Sequence, residues 1–217
     1  MQLIIWDFDG TLADTRPIIE AGMDHALKAL GLDDSVKQEW LKCVGLPVEV
    51  GIEQTFGPLG LAPEVVMPAY RSFAHAEHEA MIQPFAGMTD LLRELHGLGV
   101  AMAVASSKRR VPLCRQISQL GWDGLFDPIV TPDEVTAGKP DPESLELCLK
   151  AHGLRPEQAV MVGDAGFDLD MARRAGVPSV AVGYGFADHA TLLSYGPRAY
   201  APDTQALRDI LLAWRES

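Results

Sequence analysis

Five apolar runs of strand length recur along this chain with amphipathic stretches between them, and that alternation restricts the fold more than any other feature. The runs are Leu3–Trp6, Val100–Ala105, Pro128–Thr131, Ala159–Val162 and Ser179–Val182. The stretches Met88–His96, Val111–Leu120, Ser144–His152 and Leu169–Ala175 read as helices, followed closely by Gly97, Gly121, Gly153 and Gly176. Glycine just past a helix is a stop signal, because it takes the left-handed conformation at little cost. Strands that are apolar throughout, rather than in alternation, are covered on both faces. The pattern therefore predicts an α/β fold with a Rossmann-like, doubly wound parallel sheet.

One stretch breaks the rhythm. From about Arg16 to Ala80 only helical patterns appear, with candidates at Pro17–Leu30, Val36–Cys43, Val48–Thr55 and Pro63–Glu79. A βαβ crossover needs one helix, so the excess predicts an inserted all-helical domain over residues 16–81, with the α/β core in 1–15 and 82–217. Hinges are expected near Asp14–Pro17 and Ile82–Gly87, where proline and glycine punctuate the chain.

Charge and cysteine content exclude several function classes. The 217 residues carry 30 acids against 18 Lys and Arg, a net charge of -12. A nucleic-acid or anionic-membrane binder would normally present a basic face, so neither partner is expected. Cys43, Cys114 and Cys148 are far apart and odd in number, which argues against a disulfide framework or a zinc site and for a reducing, cytoplasmic setting. Acids arrive at Asp7 and Asp9 before any signal-length apolar stretch, and no apolar run reaches bilayer-spanning length.

The strongest chemical signal is Asp7-Phe8-Asp9-Gly10-Thr11-Leu12, directly after the first apolar run. Two acids one residue apart at a strand's C-terminal end reach the crevice where open α/β sheets bind ligands. A calcium loop would need an acid where Ile5 stands. Three further groups follow later runs: Ser106-Ser107-Lys108, Gly138-Lys139-Pro140-Asp141-Pro142 and Gly163-Asp164-Ala165-Gly166-Phe167-Asp168. Taken singly, each has a scaffold reading. Ser106 or Ser107 would cap a helix, Lys139 would be a solvated charge, and Asp168 would suit a helix's first turn. In a parallel sheet, however, all these ends lie along one edge, where hydroxyl, lysine and paired acids converge.

This set resembles the haloacid dehalogenase superfamily, whose pattern is D-x-D-G-T, then Ser or Thr, then Lys, then G-D-x-x-x-D. All four parts stand here in order, with the helical insertion of one large subgroup, and the resemblance spans essentially the whole chain. Dehalogenases of the family lack the second acid. Asp9 therefore implies a phosphatase branch. The resemblance implies that Asp7 attacks phosphorus to form a phosphoaspartate, while Asp9 protonates the leaving oxygen and then activates water. Ser106 would hold a phosphoryl oxygen and Lys139 would supply fixed positive charge, with Gly10, Thr11, Ser107 and Lys108 beside the substrate. Asp7, Asp9 through its carbonyl, and Asp164 would bind Mg²⁺, with Asp168 in the same site through water or by orienting Lys139.

The expected partner is a small phosphorylated metabolite. The runs Asp14-Thr15-Arg16-Pro17, Ser106-Ser107-Lys108 and Tyr184-Gly185-Phe186 look like the phosphoglycolate phosphatase group. Many sugar phosphatases and sugar-phosphate mutases of the family carry His where Ile19 stands, which lowers the mutase alternative. A phosphorylatable switch, the non-enzyme alternative, would be much shorter, with its nucleophile on a later strand. The insertion, expected to close over the site as a cap, holds ten acids and five bases between Arg16 and Ala80. A charged leaving group would thus find few partners there. Lys42 and Arg71 are the candidates, although both read first as solvated helix faces.

Overall fold

Strand β1 (Leu3–Trp6) opens the chain, and all four of its residues are buried, as the apolar run requires. The computed structural model describes residues 1–73 and 75–216. A two-residue strand β2 (Ala13–Asp14) precedes helices α1 (Arg16–Leu30), α2 (Lys37–Lys42), α3 (Val48–Phe56) and α4 (Pro63–Arg71). The chain returns through β3 (Gln83–Pro84) and α5 (Met88–Gly97). It then alternates through β4 (Ala101–Ala105), α6 (Arg110–Gln119), β5 (Ile129–Val130), α7 (Glu143–His152), β6 (Ala159–Gly163) and α8 (Gly166–Ala175). Strand β7 (Ser179–Val182), α9 (His189–Ser194), β8 (Ala199–Ala201) and α10 (Thr204–Glu216) complete it.

Six strands form one parallel sheet in the order β5-β4-β1-β6-β7-β8. The chain moves outward from β1 to β4 and β5, then returns beside β1 and moves the other way. The order reverses at β1, so the crevice beyond its C-terminal end is the topological switch point where such sheets bind ligands.

Alternate residues of each strand face opposite layers. Ile4, Trp6, Val104 and Val162 pack with Leu91 and Leu95 of α5 and with Leu207 and Leu211 of α10. Leu3, Ile5, Ala103 and Met161 face Leu145 and Leu149 of α7 and Met171 of α8. The doubly wound sheet expected from the apolar runs is therefore present, with β8 added at one edge. That strand is three residues long and only Ala201 in it is fully buried, too little for a sequence pattern. After α5 the left-handed stop is Gly99, at φ +75°, rather than Gly97, which is still helical.

Residues 16–73 and 75–81 hold helical turns and no sheet strand. Met23, Leu27, Trp40, Ile52, Phe56 and Val66 bury one another in a cluster separate from the sheet layers. The helix expected over Pro63–Glu79 is shorter than the pattern suggested. Helix α4 ends at Arg71, and a 3₁₀ segment, His75–Met81, follows, while Ala74 within that expected span lies outside the described residues. This change of direction carries Glu79 back to Arg115 and Gln119 at α6. The two ends of the helical stretch are tied together, since Ala13 pairs antiparallel with Pro84 and Asp14 with Gln83. Among the described residues no helix is long and apolar enough to cross a membrane.

Candidate active site

Asp7 follows β1, and its N–H is held by the Val162 carbonyl of β6, which continues the ladder one residue past the strand. The chain then turns sharply: the Phe8 carbonyl accepts N–H groups from Leu12 and Ala13, while Phe8 itself packs edge-on against Trp122 at 6.4 Å. Gly10 sits in this turn at φ +82°. A Cβ there would lie 2.3 Å from Asp164 Oδ2, so both the backbone angle and the close approach demand glycine.

Lys139 joins two of the acids. Its Nζ lies 2.5 Å from Asp7 Oδ1 and 2.6 Å from Asp168 Oδ1, with only 3% of the side chain exposed. Asp168 stands in the first turn of α8, where its second oxygen accepts the Ala165 N–H at 3.1 Å. Asp164 follows β6 and accepts from the Thr11 hydroxyl at 3.0 Å and the Phe186 N–H at 2.7 Å. Gly163 and Gly185 leave room for these carboxylates, because a Cβ on either would come within 2.5 Å of Asp168 or Asp164.

Asp7, Asp164 and Asp168 can each bring an oxygen within 4.8 Å of the others, and all three are buried. Three buried carboxylates thus face one ammonium. Burial pushes the Asp7 carboxyl well above its usual range, against the pull of Lys139, and lifts Asp164 to about 7. Burial alone would lower Lys139, but Asp168 and Asp7 together raise it, so it stays charged. A hard, all-oxygen donor set with surplus negative charge is the chemistry that fits Mg²⁺.

Asp9 is oriented differently. Its carboxylate meets Lys108 Nζ at 2.5 Å, and Lys108 also donates to Gln116 at 2.7 Å. The Asp9 side chain is therefore outside the acid trio. Ser106 directly follows β4, with its N–H on the Val130 carbonyl and its hydroxyl accepting the Lys108 N–H. Ser107 donates to the Gly45 carbonyl at 2.6 Å and so ties the sheet edge to the helical insertion.

A cavity of about 330 Å³ opens between this edge and the insertion. Asp7, Asp9, Ser106, Ser107 and Lys108 form its floor, and Trp40, Leu46, Pro47, Tyr70 and Arg71 are among the residues opposite. Two expected substrate contacts need correction. Thr11 is fully buried and spends its hydroxyl on Asp164, and Gly10 is likewise buried, so neither belongs to the cavity wall. Lys139 and the acids Asp164 and Asp168 stand behind Asp7 rather than on the wall. Arg71, read from the sequence as a solvated charge, does line the cavity, whereas Lys42 pairs at the surface with Glu39. The sequence reading missed Arg115, Gln116 and buried Glu79, also on the wall; the acid-rich stretch carries no local sign that Glu79 turns inward.

The chain is similar to known proteins in both sequence and fold. The model of the haloacid dehalogenase-like hydrolase family matches residues 4–182. A pyrophosphatase PpaX from Oceanobacillus iheyensis is 30% identical over 97% of this chain and 95% of its own length. Another, from Halalkalibacterium halodurans, is 28% identical over 97% of both chains. Among solved structures, a haloacid dehalogenase-like family hydrolase from Streptococcus pneumoniae matches with a TM-score of 0.83 and 26% identity, covering 99% of this chain and 98% of that one.

Proposed function

Because this chain belongs to the haloacid dehalogenase-like hydrolases, we propose that it is a Mg²⁺-dependent phosphatase that hydrolyses a small phosphate monoester through a phosphoaspartate. The observation that carries the reading is the placement of Asp7. It lies at the switch point of the sheet, on the floor of a cavity, with Lys139 and two further acids locked behind it.

Asp7 is the nucleophile. One carboxylate oxygen attacks phosphorus as the bond to the leaving oxygen breaks, and Asp9, two residues on, gives that oxygen its proton. Asp9 then takes a proton from the water that cleaves the acyl phosphate, which releases phosphate and restores Asp7. Lys139 holds Asp7 in place and keeps positive charge close to the phosphoryl oxygens. Ser106 is on the floor to hydrogen-bond one of those oxygens, and Lys108 lies where an incoming phosphoryl group draws its ammonium away from Asp9. Mg²⁺ held by Asp7, Asp164 and the Asp9 carbonyl, with Asp168 behind, would neutralise charge on the transferring group.

Residues 16–81 act as a cap over a core made of 1–15 and 82–217, and the cavity between the two excludes bulk water. Ile19 lines that cavity. The position at which related mutases carry His thus has no proton to move, which favours hydrolysis over phosphoryl exchange between sugar hydroxyls.

Asp7→Asn tests the reading. With Mg²⁺ and p-nitrophenyl phosphate, turnover is expected to fall by at least about 10³-fold while circular dichroism stays unchanged. Turnover equal to that of the unmodified protein would sink the mechanism.

A further inference from the structure

Beyond the phosphoryl end, the cavity wall is charge-balanced and largely apolar. Among the described residues four cations reach it: Arg71, Lys108, Arg109 and Arg115. Each already meets a carboxylate. Arg71 Nη2 lies 3.0 Å from Glu49 Oε1, and Arg109 reaches the same Glu49 at 3.9 Å and Asp133 at 3.4 Å. Lys108 holds Asp9, and Arg115 holds Glu79 at 2.5 Å.

Those pairs leave little for a second anionic group. Glu79 has 2% of its side chain exposed and also accepts from Gln119. A ligand that drew Arg115 away would strand a buried carboxylate, which is the costly way to break such a pair. Drawing off Arg71 or Arg109 would leave Glu49 on the wall as a repulsive neighbour. The stretch from Val44 to Val48 and the rings of Pro112 and Pro132 make up much of the remaining surface. Proline has no backbone N–H, so Pro47, Pro112 and Pro132 give an anion no main-chain donor. Trp40 and Tyr70, edge-on at 5.6 Å, add flat apolar area.

Size points the same way. At about 330 Å³ the cavity falls among sites that enclose drug-sized ligands, roughly 300–1,000 Å³ and mostly apolar. Phosphoglycolate or pyrophosphate would leave much of it empty.

Resting on the phosphatase reading, we propose that the substrate's leaving group is an uncharged, largely apolar alcohol with a flat body, so that the phosphoryl group is the ester's one anionic part. The arginines of the wall then serve to neutralise Glu49 and Glu79 rather than to bind substrate. The protein's preference is for arylalkyl phosphates over esters that carry a carboxylate or a second phosphate.

The test compares three esters of matched reactivity, with pyrophosphate, an anhydride, as the doubly phosphorylated case. With Mg²⁺, kcat/KM is measured for 2-phenylethyl phosphate, ethyl phosphate and phosphoglycolate, all primary alkyl esters, and for pyrophosphate. 2-Phenylethyl phosphate should exceed ethyl phosphate by at least about tenfold, the scale of apolar pocket discrimination, and phosphoglycolate by more. If phosphoglycolate or pyrophosphate is the better substrate while p-nitrophenyl phosphate turns over in an Asp7-dependent way, the leaving-group proposal is overturned and the phosphatase reading stands. If p-nitrophenyl phosphate is not hydrolysed either, both fall. Glu49→Gln gives an independent arm. Freeing Arg71, while Arg109 stays on Asp133, should raise the ratio of phosphoglycolate to 2-phenylethyl phosphate turnover at least fivefold, and an unchanged ratio would count against the proposal.

Discussion

At the phosphoryl end of the cavity, Lys139 sits 3% exposed between Asp7 and Asp168, both nearly sealed from solvent. At the far end, Arg71 and Glu49 meet with side chains 62% and 40% exposed. The same chemistry of acid and base thus serves two ends in opposite settings. Burial makes the first cluster expensive to disturb, since removing one partner leaves charge where water cannot reach it. Exposure leaves the second pair worth at most about 1 kcal/mol to the stability of the fold. In the proposed reaction, rigid positioning would serve the bond that breaks, and a charge-balanced wall would serve the sorting of leaving groups.

The largest expected effect tests the buried end. Lys139→Met should abolish turnover and destabilise the metal-free fold by about 3–5 kcal/mol, read from urea unfolding. A loss under about 1 kcal/mol would mean that the lysine is no more fixed than Arg71. Next comes the room left for the acids. Gly185→Ala puts a Cβ within 2.5 Å of Asp164 and should weaken Mg²⁺ binding about 10–100-fold, measured by titration calorimetry. Unaltered affinity would remove Asp164 from the metal site.

The third prediction concerns pH. Asp164 is raised from 3.8 to about 7 and Asp7 is also raised, both chiefly by burial. Between those pH values the folded chain keeps protons that the unfolded chain has released. Stability of the metal-free protein therefore falls as pH rises through that window. Mg²⁺ offsets the charge that remains, so it should raise Tm more at about pH 8 than at about pH 5. Equal increments at both would separate the ion from these two carboxyls. Smallest is Arg71→Ala, which should change stability by less than about 1 kcal/mol. A larger loss would break the contrast between the two ends.

That contrast also explains what could be read from the sequence. Asp7, Ser106 and Asp164 each directly follow a strand that the apolar runs mark, with Asp9 two residues after Asp7, so the sheet itself carries them to one edge. Lys139 arrives on the loop after β5, and Asp168 in the first turn of α8. Thr11 was legible as a site residue but not in its role, because nothing local says that its hydroxyl turns to Asp164 rather than to a substrate. The run Tyr184-Gly185-Phe186 had only a resemblance behind it. The structure supplies its physics, with Phe186 donating to Asp164 and Gly185 giving that carboxylate space. At the far end, Arg115 and Glu79 lie 36 residues apart, and their meeting depends on where α4 stops and how the next segment turns. Helical periodicity says which residues share a face. It does not say which distant face that one will meet.

The short ribbon of β2 and β3 has a further consequence. Ala13 and Pro84 are direct cross-strand partners, so the two chain ends that enter and leave the helical stretch lie only about 5 Å apart. The covalent chain joins the two parts at this one clip, while contacts such as Ser107 with Gly45 and Arg115 with Glu79 hold them together elsewhere. A tight turn of a few residues would bridge the same gap with Asp7 and its neighbours still in register. Under the proposed function, exchanging the helical stretch at these two adjacent positions would alter the part of the leaving-group wall that the stretch supplies and leave Asp7 and its neighbours in place.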